Sequence, residues 1–149
     1  MNLIIDIDKF NSNYVYFIES VKNNIINNSD FIRIIYSNEM FMLNGIFLRI
    51  NLKIDNSYVY FNKCKYSFSY NNNKDEIEKI ILIEQSILHM ININNKVPVF
   101  RLGEQVINEN IKLFYDSPQK NSEIKLILKI SGIWESDTEY GIIYKFITI

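Results

Sequence analysis

From residue 46 to residue 54 the chain reads Ile-Phe-Leu-Arg-Ile-Asn-Leu-Lys-Ile, an aliphatic side chain at every second position. Successive side chains of a strand point to opposite faces, so a period of two marks a half-buried strand and is incompatible with a helix face. The reading extends to a long strand over Met40 to Asp55, with Ile46, Leu48, Ile50, Leu52 and Ile54 on one face. Phe47, Arg49, Asn51 and Lys53 occupy the other. Gly45 interrupts the pattern, as a bulge or sharp bend does where a strand turns a corner.

The same period recurs along most of the chain. Strands are expected at Asn13 to Val21 and Phe31 to Ser37, separated by a polar break from Lys22 to Asp30. After a turn at Asp55-Asn56-Ser57, strands follow at Tyr58 to Phe61 and Lys63 to Tyr70, the second carrying Tyr66, Phe68 and Tyr70 on one face. A single helix is predicted. Asn73 can cap it, Glu76 stands three residues on as in a capping box, and apolar residues run from Ile77 to Ile91. Ile77, Ile80, Ile81, Leu88 and Ile91 form its buried face. Beyond a loop at Asn92 to Lys96, short strands are expected at Val97 to Leu102 and Ile111 to Tyr115, with a turn at Asp116-Ser117-Pro118. A terminal hairpin closes the chain: Glu123 to Trp134, a polar loop, then Tyr140 to Ile149.

Strands on both sides of one helix, without βαβ repetition, give a mainly β, α+β class in one domain over residues 1–149. That order fits an OB-like Greek-key β-barrel with one central helix plugging its end. A β-sandwich with an inserted helix fits the pattern equally well.

Several chemistries are excluded by scarcity. The chain has one Cys, Cys64, and one His, His89, so an internal disulfide, a Cys/His zinc site and a choice of catalytic histidines are all missing. Cys64 reads as a semi-buried strand residue and His89 as a helix residue. No catalytic residue, metal or cofactor is expected. The residues from Met1 to Phe10 lack a basic region and contain Asp6 and Asp8, unlike a signal peptide. No apolar run reaches the about 18 residues of a membrane span, so no span is expected, and the single Cys suits an intracellular, reducing compartment. The 29 Ile and 21 Asn, against no Ala, follow AT-rich codons and point to an AT-rich genome such as those of many large DNA viruses.

Scarce residues concentrate in the terminal hairpin. The only Trp and two of the four Gly fall in Ser131-Gly132-Ile133-Trp134-Glu135 and Tyr140-Gly141-Ile142-Ile143-Tyr144-Lys145-Phe146. This pattern resembles the closing hairpin of the single-stranded DNA-binding proteins of large nucleocytoplasmic DNA viruses, which are similar in fold to the short-tailed phage type. The segment Lys96-Val97-Pro98-Val99-Phe100-Arg101-Leu102 is similar to a strand of that family. The acidic, aromatic-tipped tail of the phage proteins has no counterpart between Phe146 and Ile149, so tail-borne contacts are not expected. The resemblance implies an OB fold, sequence-nonspecific binding of single-stranded DNA, and a place at a viral replication site. Replication proteins and self-association are further candidate partners.

Such binding needs aromatic faces for the bases and cations for the phosphates. The candidates are Phe47, Arg49, Lys53, Lys125, Lys129, Trp134, Tyr144 and Lys145, with Lys63 and Lys65 flanking the aromatic row. A net charge of −1 does not preclude a local cationic groove. The plainer reading makes the rings core residues and the lysines a solvated face, as in a β-rich viral structural or protein-interaction module. Asp116 with Glu123-Ile124-Lys125 matches the bare spacing of a metal-dependent nuclease. Chance produces one such spacing in a chain this rich in Glu and Lys, so the chain is read as a non-enzyme. The acids Glu135, Asp137 and Glu139 lack the glycine turn of a calcium loop.

Overall fold

A computed structural model describes residues 3–22, 30–61, 63–114 and 125–148. In chain order it contains β1 (Ile5–Asp6), β2 (Val15–Lys22), β3 (Asp30–Ser37), β4 (Met42–Asn44), β5 (Ile46–Ile50), β6 (Asn56–Tyr60) and β7 (Lys63–Ser67). Helix α1 (Lys74–Ile91), β8 (Val97–Val99), α2 (Arg101–Ile107), β9 (Asn110–Phe114), β10 (Leu126–Glu135) and β11 (Glu139–Thr148) follow. The class is mainly β with α, as the alternation requires.

The strands form two sheets, and among the described residues neither closes into a barrel. β10 is the spine of the larger sheet. One edge pairs with β11 along its length; the other pairs first with β5, through Leu126↔Ile50 to Ile130↔Ile46, then with β3, through Gly132↔Arg33 to Glu135↔Asp30. The switch of partner coincides with a register shift between Ile130 and Gly132. Gly45 sits beside it, between β4 and β5, at φ +95°, where an added Cβ would meet the Ile130 carbonyl oxygen at 3.1 Å. The long strand expected from Met40 to Asp55 is therefore two strands joined by a left-handed glycine, β4 on β3 and β5 on β10. β2 and β4 flank β3, β1 adds to β5, and β8 adds to β11 in parallel. The smaller sheet runs β6-β7-β9.

The inner face of the larger sheet follows the alternation. Ile46, Leu48 and Ile50 of β5, Leu126, Leu128 and Ile130 of β10, and Ile142 and Phe146 of β11 are buried in one cluster with Tyr66 and Leu113 of the smaller sheet. α1 adds Ile77, Ile80, Ile83, Ile87 and Leu88, each contributing about 1.5–3 kcal/mol by leaving water. Ile81 and Ile91 are only partly buried, because the apolar stripe turns toward Ile83 and Ile87. Tyr66 and Phe68 are core and Cys64 is buried beside them in β7, whereas His89 is exposed on α1.

Three local expectations are corrected. Asn56 and Ser57 belong to β6 rather than to a turn, paired with Ser67 and Tyr66. The capping box at α1 does not form: Asn73 instead accepts the Lys53 N–H at 2.6 Å and donates to the Lys53 and Ser69 carbonyls, while Glu76 accepts the Asn51 N–H. Both side chains thus hold the segment that leaves β5. Finally, the strand expected from Val97 to Leu102 stops at Val99, and α2 begins at Arg101. The cause is Glu84, fully buried on α1, whose carboxylate accepts the N–H groups of Leu102 at 2.9 Å and Gly103 at 2.8 Å. Those are donors a helix leaves unpaired at its start. The expected turn at Asp116 to Pro118 and the carboxylates Asp116 and Glu123 lie outside the described residues.

Candidate nucleic-acid interface

Directly paired residues of neighbouring strands share a face, so the register maps the outer surface of the larger sheet. One row is Phe47–Lys129–Lys145, from β5 through β10 to β11. The next is Arg49–Ile127–Ile147, with Asp6 of β1 opposite Arg49. Beyond the register shift come Arg33–Gly132–Ile143 and Phe31–Trp134–Gly141. Lys125, one residue before β10, continues the alternation of Ile127 and Lys129 and is exposed.

Two aromatic rings lie flat on this face because glycines leave room for them. A Cβ on Gly141 would stand 2.8 Å from the Trp134 ring, and one on Gly132 would stand 2.9 Å from the Phe31 ring. The pairing of Gly with Trp noted in the hairpin sequence is therefore a packing unit, with the indole laid across the neighbouring strand. Arg101, the first residue of α2, stacks its guanidinium 4.5 Å from the Trp134 ring centroid. Cation and ring attract through the quadrupole of the indole.

The charge on this face is mainly positive. All three arginines of the chain, Arg33, Arg49 and Arg101, lie on it together with Lys125, Lys129 and Lys145. The register and its alternation place two acids there: Asp6, bound by Arg49 at 2.9 Å, and Glu139 of β11, exposed two residues before Gly141. Lys129 and Lys145 stand directly opposite each other, an arrangement that disfavours a sheet unless an anion lies between them.

Of the residues singled out from sequence, Arg49, Lys125, Lys129, Trp134 and Lys145 come together here. Phe47 shares the face but is 6 % exposed, and the Lys129 ammonium lies 5.4 Å from its ring centroid. It supports a cation rather than offering a free ring. Tyr144 faces the other side, with its hydroxyl donating to Gln105 Oε1 at 2.5 Å, and burial pushes its pKa up to about 12. Lys53 lies apart, on the segment tied to Asn73 at the start of α1. Phe31, Arg33 and Arg101 were not selected by the sequence reading. The scarcity of arginine was the available signal, since all three converge.

Among the described residues no group of His, Cys, Asp and Glu could hold a metal ion. No helix is long and apolar enough to cross a membrane. No family model, curated protein or solved structure matches the chain.

Proposed function

We propose that the outer face of the larger sheet binds single-stranded DNA without sequence preference and without catalysis. The observation that carries this reading is the convergence of three arginines and three lysines on one sheet face, beside flat-lying Trp134 and Phe31, in a chain of net charge −1. Cations there neutralise phosphates, while the Arg101 guanidinium stacked on the indole offers the outer planar surface to unpaired bases. The sheet serves as an opened OB-like barrel, with β10 and β11 as the closing hairpin. The AT-biased composition and unpaired Cys64 suit a viral protein acting at an intracellular, reducing replication site, where replication proteins are the natural partners.

Charge reversal tests it. Lys129→Glu with Lys145→Glu is expected to weaken binding of a fluorescent oligo-dT by about tenfold or more at low salt. Unchanged affinity in a folded double variant removes these lysines from the interface.

A protein-interaction reading has one observation of its own. Met40 and Met42 are exposed on and beside β4, and adaptable methionines suit protein surfaces. Stable hetero-complex formation without any oligonucleotide affinity would favour that reading.

A further inference from the structure

The smaller sheet repeats the chemistry of the larger one on a surface of its own. Its register gives the rows Tyr58–Lys65–Lys112 and Tyr60–Lys63–Phe114, running from β6 through β7 to β9. The first has the composition of Phe47–Lys129–Lys145, an aromatic followed by two directly opposed lysines. The difference is exposure: Tyr58 is 54 % exposed and Tyr60 is 42 % exposed, and Phe61, at the turn after β6, is 97 % exposed. Phe61 adopts φ +54°, a backbone that an aromatic residue rarely takes.

No acid falls on these rows. Glu109, which precedes β9, turns its carboxylate to the Tyr70 N–H at 3.1 Å, and Asp55 lies one residue before β6. β6 is an edge strand that carries no charge from Asn56 to Tyr60, whereas edges are usually blunted by charge or covered. Lys65 and Lys112, directly opposed and flanked by exposed tyrosines, complement a polyanion that also presents flat rings.

We infer that the β6-β7-β9 sheet is a second contact surface for single-stranded nucleic acid, separate from the face bearing Trp134. Phosphates lie along Lys65 and Lys112, and bases stack on Tyr58, Tyr60 and Phe61. A strand long enough to reach both faces binds more tightly than one that reaches a single face, because the second contact is intramolecular.

The two faces are separable by experiment. Titrate the whole protein with a short oligo-dT of about 8 nucleotides and a long one of about 30, lengths that fall within and beyond the usual site size of one such fold, about 4–16 nucleotides. Read fluorescence anisotropy for binding and Trp134 emission for the larger sheet. Lys65→Gln with Lys112→Gln, and separately Tyr58→Ala with Tyr60→Ala, are expected to lower affinity for the long oligonucleotide at least about fivefold. Both should leave quenching of Trp134 by the short one as in the wild type. Photocrosslinking of 4-thiothymidine oligonucleotide should mark the peptide spanning residues 56–67. Long-oligonucleotide affinity equal to wild type in both double variants, with no crosslink in that peptide, overturns the second surface even if Trp134 is quenched. Loss of binding in these variants without any quenching of Trp134 supports the second surface and refutes the first. Absence of oligonucleotide binding in the wild-type protein overturns both.

Discussion

Trp134 is held between Gly141 beneath it and the Arg101 guanidinium over it, so its position depends on a missing methyl group as much as on a charge. Gly141→Ala would place a carbon 2.8 Å from the indole, and the ring must lift from the sheet. The expected cost is about 1–3 kcal/mol in urea unfolding, with Trp134 emission shifted to the red as the ring meets water. A variant with wild-type stability and emission would show that the indole does not rest on this glycine. The same scale explains why Phe47 was misjudged as a free ring. Alternation places it correctly on the outer face, but a one-dimensional pattern carries no information about Lys129 arriving from β10 to cover it.

α2 depends on one buried carboxylate of α1. Burial pushes the Glu84 pKa up from its ordinary 4.5, and the Gly103 and Leu102 N–H groups pull it back only in part. A carboxyl whose folded pKa lies above its unfolded value holds its proton longer in the native state. Stability therefore falls as pH rises from 4.5 through the raised value. Glu84→Gln removes this contribution to the pH dependence and turns an amide N–H₂ toward one of the two backbone donors. It should cost about 1–3 kcal/mol at neutral pH. Urea melts of both proteins at acidic and neutral pH check this; an unchanged slope with pH would mean that Glu84 titrates normally. The strands were legible in sequence because their burial has a period of two, and α1 because its capping residues and apolar run agree. α2 was not. Arg101 to Ile107 follows a β-like Val-Pro-Val, and its start is set by Glu84 from another element. The split at Gly45 was legible as an interruption, but the change of partner from β3 to β10 belongs to tertiary structure.

At the scale of the molecule, the near-neutral charge hides an uneven distribution. Acids are spent elsewhere: Asp8 binds Lys79 at 2.6 Å, Glu135 binds Lys96 at 2.5 Å, and Glu84 and Glu76 are buried among backbone donors. The arginines are left on one sheet face, six of the eight residues selected from sequence share it, Phe47 among them beneath Lys129, and the face takes its form from a partner switch along β10. Binding through four or five phosphate contacts should give log K a slope of about −3 against log salt, as expected for single strands. The most direct measurement is a titration of the protein with oligo-dT at two salt concentrations while following Trp134, the only indole in the chain. Quenching that saturates, with an affinity that falls steeply between the two salts, is the expected result. Unchanged Trp134 emission at low salt, with the protein folded and oligonucleotide in excess, would contradict a DNA-binding role for the larger sheet.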